Sequence, residues 1–100
     1  MRLARGFFNN TFVLLQHFTY ILYSPSKDRY YIGHTQDLSK RFNEHNKGLS
    51  KSTAPYAPWI LIGYITKQTK SEAYILEMKL KNLNRPDLQR FIKKYFDITP

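Results

Sequence analysis

The sequence predicts a small α+β domain, an antiparallel three-stranded sheet flanked by helices in the order β-β-α-β-α-α. Three observations predict it. Two short runs rich in aromatic and β-branched residues, Phe18–Tyr23 and Arg29–Gly33, are joined by turn-forming residues. One nearly all-apolar run, Trp59–Ile65, follows a polar loop. Two segments after it repeat apolar residues at helical spacing.

The first run, FTYILY, is a strand, and Ser24-Pro25-Ser26-Lys27-Asp28 is turn chemistry. The short connection makes an antiparallel hairpin with Arg29–Gly33 the natural pairing. A helix follows, with Thr35 as the expected cap, Asp37 at its positive end, Leu38 and Phe42 as its apolar stripe and Gly48 as its stop. The polar loop from Leu49 to Pro58 leads into Trp59–Ile65, read as a strand buried on both faces. Thr69-Lys70-Ser71-Glu72 has capping-box spacing, and the helix it opens lines up Ala73, Leu76, Leu80 and Leu83. Pro86 suits the first turn of a last helix, in which Leu88, Phe91, Ile92, Tyr95 and Phe96 form the apolar face. Trp59, Tyr64, Leu76, Phe91 and Tyr95 are expected in the core. Tyr23, Tyr30 and Tyr56 are the candidates for exposed stacking platforms.

The chain has 100 residues, 42% of them hydrophobic and 16% aromatic, enough for one core. The domain is expected over residues 18–96, with residues 1–17 as a flexible or mis-started extension and 97–100 as a tail. Sixteen basic against seven acidic residues give a net charge of +9. Eight of the basic residues and three of the acidic ones fall between Lys67 and Lys94. Such an imbalance favours a polyanionic partner through phosphate neutralisation and counterion release. With no cysteine, disulfides and thiolate metal sites are excluded. No apolar run reaches membrane-span length, so no membrane partner is expected, and the absence of cysteine fits a reducing cytoplasm, the expected location.

Serine and cysteine hydrolase signatures, glycine-rich phosphate loops and His/Cys zinc spacings are missing. The acids are too scattered for a two-metal nuclease site. What remains is a set of tyrosines with an arginine, histidines and one glutamate. Tyr20 and Tyr31 sit on the two hairpin strands and can lie side by side. Arg41 and His45 are four apart and share a helix face that adjoins Leu38 and Phe42. Glu77 lies beside the Ala73/Leu76/Leu80 stripe, closer to the core than an ordinary surface charge.

Taken in order, Phe18-Thr19-Tyr20, Tyr31-Ile32-Gly33, Asp37-Leu38, Arg41, Glu44-His45-Asn46, Gly48, Pro58-Trp59-Ile60-Leu61, Ser71-Glu72-Ala73, Glu77 and Lys81 form a spaced series. That series resembles the GIY-YIG nucleases, from about Phe18 to Phe96. It is most similar to the short stand-alone branch and to the N-terminal catalytic domain of the UvrC excision-repair subunit. The first motif lacks its glycine, and His34 stands where UvrC-like members often have lysine. The asparagine that some members carry late in the domain has no clear counterpart; Asn82 and Asn84 are only nearby.

The resemblance implies an enzyme that hydrolyses DNA phosphodiesters with water, leaving 5′-phosphate and 3′-hydroxyl ends, RNA being a second possible substrate. It implies one divalent cation, Mg²⁺ or Mn²⁺, held by Glu77. Tyr20 and Tyr31 would share the role of base, the division between them being open. An ordinary tyrosine is ionised in only about one molecule in a thousand at neutral pH, so cations nearby must help. Arg41 would hold the phosphate, and His45 would orient water or phosphate. His34, Lys51 and Arg41 would contact nucleic acid. A protein partner would supply specificity, and the oligomeric state is left open. The alternative is a non-catalytic basic nucleic-acid-binding module of the same fold.

Overall fold

The structure, a computed structural model, describes residues 16–96. The expected tail and all but the last two residues of the expected extension lie outside the described residues. Strand β1 (His17–Ser24) starts one residue before the sequence suggested, and β2 (Arg29–Thr35) continues two residues past Gly33. They pair antiparallel as expected, with Tyr20 opposite Gly33 and Thr19 opposite His34. The turn between them uses Asp28 at φ 53°, a left-handed conformation that aspartate tolerates better than most residues. The Asp28 carboxylate accepts from the Tyr23 hydroxyl at 2.7 Å and pairs with Arg85.

Helix α1 (Leu38–Asn46) is capped by Asp37, whose side chain accepts from the Lys40 amide at 3.1 Å. The expected cap, Thr35, is instead the last ladder residue of β2, and its hydroxyl accepts from the Asp37 amide at 3.1 Å. The strand outcompetes the helix for its backbone. Gly48 at φ 74° follows the helix, a position that favours glycine.

Strand β3 (Ile60–Lys67) pairs with β1, giving the sheet order β2-β1-β3. The expectation of a strand buried on both faces is overturned. β3 is an edge strand, and Ile60 and Tyr64 are 51% and 48% exposed. Tyr64 is therefore not a core residue, although it packs edge-on against Phe18. An apolar run identifies a strand, but it does not say whether that strand is central.

Helix α2 (Lys70–Lys81) begins with the expected capping box, Thr69 and Glu72 bonding each other's backbone. Ala73, Glu77 and Leu80 form its buried line. Helix α3 (Arg85–Phe96) contains Pro86 in its first turn, and the Asn84 side chain accepts from the Asp87 amide at 2.9 Å. Asn84 is thus accounted for as a cap.

The sheet has a core on each side. Tyr20, Leu22 and Trp59 pack with Tyr31, Leu38 and Phe42 on the α1 side. Ile21, Ile32, Ile62, Leu80, Leu88 and Ile92 pack on the α2–α3 side, joined by Leu76 and Phe91. Tyr95, expected in the core, is 55% exposed at the edge of its stripe. Tyr23, Tyr30 and Tyr56 are not free platforms. Tyr23 and Tyr30 join the second core, Arg85 lies over the Tyr30 ring, and Tyr56 packs on Trp59 beneath Arg29.

Candidate active site

Side chains of adjacent strand residues point to opposite faces, so the hairpin register sorts the candidates before any other force acts. Tyr20, Tyr31 and Gly33 face α1, whereas Thr19 and His34 face α2. Tyr20 is buried, and a Cβ on Gly33 would stand 2.6 Å from its hydroxyl oxygen. The missing side chain at Gly33 is what lets the Tyr20 hydroxyl lie over the outer strand.

His45 is fully buried between this tyrosine and the loop that follows α1. Its Nε2 is 2.9 Å from the Tyr20 hydroxyl, and its Nδ1 is 2.7 Å from the Thr53 hydroxyl. Thr53 has one proton to give, and the Ser50 carbonyl at 3.3 Å can only accept it. The assignment satisfying every contact has His45 Nδ1–H donating to Thr53, leaving Nε2 to accept from Tyr20 O–H. The loop is held for this by Trp59, whose indole donates to the Thr53 carbonyl at 3.1 Å and whose backbone is clasped by Asn46. The Tyr31 ring lies 4.9 Å from the His45 ring and 6.3 Å from that of Tyr20.

Burial, with the Arg41 guanidinium next, holds His45 down at about 4. The imidazole is expected to remain neutral as pH falls through 6.5, where an unfolded histidine gains its proton. Below that value the unfolded state binds more protons than the folded one, so this residue makes stability decline toward pH 4. Histidine ¹H–¹⁵N correlation spectra across pH should show His45 as the Nδ1–H tautomer down to that range. Titration near 6.5 would contradict the assignment.

Burial and then Tyr31 push the Tyr20 hydroxyl well above the ordinary tyrosine value, and Arg41 acts against them. Arg41 is half-buried. Its guanidinium donates to Glu44 at 3.1 Å and to the Ser50 hydroxyl at 3.2 Å, and despite desolvation the bond to Glu44, with Tyr20 and Tyr31, keeps it firmly charged.

Glu77 lies across the outer strand from this group. It is 7% exposed, with Oε1 2.5 Å from His34 Nδ1 and Oε2 2.6 Å from Lys81 Nζ. Desolvation is the largest influence on it, but its bonds from His34 and Lys81 prevail and hold the carboxyl below the usual range. The single concavity expected for the five residues does not form. Tyr20, Tyr31, Arg41 and His45 cluster on the α1 face, with Tyr20 and His45 buried. Glu77 lies on the opposite face of the sheet, which counts against a single site of tyrosines and metal ligand. The two halves adjoin, because Gly33 and His34 are consecutive, and the Glu77 charge is among the influences that raise Tyr20.

Among the described residues no group of three or more His, Cys, Asp or Glu side chains could cage a metal. Mg²⁺ and Mn²⁺ bind through few protein oxygens and keep much of their water shell, so a single ionised carboxylate could hold one only if His34 and Lys81 released the Glu77 oxygens they engage. His34 therefore bonds Glu77, in addition to any contact with nucleic acid. Lys51 is exposed, one residue after Ser50. The sequence reading did not single out Thr53 or Ser50 as partners of the site. A hydroxyl in a polar loop carries no local signal that it will meet a histidine eight residues away.

The model of the GIY-YIG catalytic domain matches residues 16–95. The chain belongs to the GIY-YIG family. The UPF0213 protein lin0209 of Listeria innocua is 34% identical over 80 residues, covering 79% of this chain and 88% of that protein. UPF0213 protein RBAM_000440 of Bacillus velezensis is 34% identical over 79 residues, covering 78% and 79% respectively. The solution NMR structure of the UPF0213 protein BH0048 from Bacillus halodurans superposes with a TM-score of 0.54 at 27% identity, covering 81% of this chain and 86% of that one. These similarities establish the short GIY-YIG fold, and the family's catalytic domain implies nucleic-acid binding. No helix among the described residues is long and apolar enough to cross a membrane.

Proposed function

We propose that this GIY-YIG chain is a metal-dependent endonuclease hydrolysing DNA phosphodiesters, and that structured or damaged DNA is its substrate, in keeping with its likeness to the catalytic domain of UvrC. The observation that carries the reading is the buried, neutral His45 Nε2 set 2.9 Å from the Tyr20 hydroxyl, with Arg41 charged alongside.

A buried phenol that resists ionisation is a poor base unless its proton has somewhere to go. His45 is that acceptor. Water attacks phosphorus, its proton passes to the Tyr20 oxygen, and the proton Tyr20 carried passes to His45 Nε2. The bond from phosphorus to the 3′ oxygen breaks, and that oxygen takes a proton from solvent. Thr53 holds the imidazole and accepts from Nδ1, which offsets part of the cost that burial and Arg41 put on the imidazolium. Arg41 turns its fork from Glu44 and Ser50 to the phosphate and offsets its growing charge. Tyr31 borders both rings and limits water around them. Glu77 would hold the divalent cation, which when bound supplies positive charge at the phosphate and leaving oxygen.

A second reading has an observation of its own. Both Glu77 oxygens are already engaged by His34 and Lys81, so the fold can close this half-site without a cation. A nucleic-acid-binding module that no longer cuts would look like this. Purified protein incubated with Mg²⁺ or Mn²⁺ and nicked, branched, duplex and single-stranded DNA separates the two. Cleavage leaving 5′-phosphate ends is expected. Intact DNA and RNA in every form, under conditions where binding is measurable, would leave the binding module as the function.

A further inference from the structure

The strongest feature outside the Tyr20–His45 cluster is a groove between α2 and α3, on the opposite side of the sheet. It encloses about 540 Å³ above a floor that includes Leu76, Leu80 and Leu83. Four cationic side chains line it: Lys67 from the end of β3, Lys79 from α2, and Arg90 and Lys94 from α3. Asp87 is the one carboxylate among the lining residues, and it is paired with Arg90. The aromatic pair Phe91 and Tyr95 lines the α3 wall, ring centroids 4.5 Å apart at 38°. Tyr95 is 55% exposed, with the Lys94 ammonium 5.3 Å from its ring centroid.

The geometry points to a second nucleic-acid site, a track for a single strand that crosses between α2 and α3 with a base stacked on Tyr95 and phosphates beside Lys67, Lys79 and Lys94. Cations on both walls and a 55% exposed ring on the α3 wall, against which Phe91 packs and which Lys94 flanks, offer an unpaired strand both phosphate contacts and an edge or face for a base. A duplex keeps its bases stacked on one another and would leave the ring unused.

The proposal depends on the nucleic-acid reading of the family but not on cleavage, so it is tested by binding without divalent metal. Fluorescence anisotropy of labelled oligo-dT should show Lys79→Ala/Lys94→Ala weakening affinity about tenfold or more. It should also flatten the salt dependence by about 1.4 in log–log slope, two phosphates at about 0.7 each. Tyr95→Ala should lose about tenfold while Tyr95→Phe keeps wild-type affinity, since the ring and not the hydroxyl stacks. In ¹H–¹⁵N spectra of the wild type, oligo-dT should shift amides of α2 and α3 as well as those near Arg41. Shifts confined to the α1 side, or variants that bind oligo-dT as the wild type does, would overturn the proposal. So would variants that leave oligo-dT affinity unchanged while losing wild-type binding to phosphatidylserine vesicles. An uncleaved strand that still binds through these residues would remove the nuclease reading and leave the groove intact.

Discussion

Replacing Glu77 by alanine is expected to abolish Mg²⁺- or Mn²⁺-dependent cleavage, lowering the rate by about a hundredfold or more, while DNA affinity stays near wild type. Loss of one group stabilising developing charge at a water-poor site costs on that order. Affinity should hold or rise, because a negative charge near the phosphate disappears and His34 and Lys81 are released to meet it. The change also costs stability, since Glu77 is buried and both its oxygens are bonded. His34 and Lys81 remain partly open to water, so a cost of about 1 kcal/mol is expected rather than that of a sealed ion pair. The sign of the pH effect follows from the lowered carboxyl. Its contribution is present above about 4.5, the ordinary value, and is lost as pH falls through the folded value. Urea denaturation of Glu77→Ala should therefore converge with wild type at low pH. Glu77→Gln should preserve more stability and equally little cleavage. Cleavage at the wild-type rate by Glu77→Ala would assign the metal to other residues.

Glu77 also illustrates how far sequence carried the site. One residue along a helix turns the side chain about 100°, which was enough to set this glutamate against the core from its neighbours Ala73 and Leu80. The hairpin, the capping box at Thr69–Glu72 and the amphipathic last helix were legible for the same reason. Each is specified by residues within a few positions of one another. What escaped depended on distant partners. Trp59–Ile65 had the composition of a central strand, but the sheet order leaves it at the edge, and Tyr64 goes out with it. Tyr95 fits the α3 stripe by spacing, yet it stays 55% exposed at the groove rim. The Thr53–His45–Tyr20 chain joins a loop, a helix and a strand, and only the folded register of Tyr20 against Gly33 brings its ends together. Likewise, alternation along β2 sends His34 and Tyr31 to opposite faces. This divides the site in a way that spacing between motifs cannot express.

Replacing Arg41 by alanine should also stop cleavage, by about a hundredfold or more, but its binding signature should differ from that of Glu77→Ala. Arg41 is the firmly charged donor beside Tyr20, and its fork is held by Glu44 and Ser50, both half-buried. Removing it deletes a phosphate contact, so affinity for duplex DNA should drop modestly and the salt dependence should flatten by about 0.9 in log–log slope. It also removes the main influence that draws Tyr20 downward, leaving burial and Tyr31 to push the phenol higher still. The proton transfer to His45 Nε2 then becomes harder just as phosphate charge goes unmet. Two defects in one substitution predict that Arg41→Lys, which restores charge but not the planar fork, recovers the salt slope without recovering the rate. Stability should change by less than about 1 kcal/mol, because the bonds lost are partly solvated. The measurement is a pair of curves for each variant: single-turnover cleavage, and affinity against salt concentration without metal. A wild-type salt slope in Arg41→Ala would mean that Arg41 does not touch phosphate. If the rate nevertheless fell, its place in the chemistry would be the electrostatic support of Tyr20 alone.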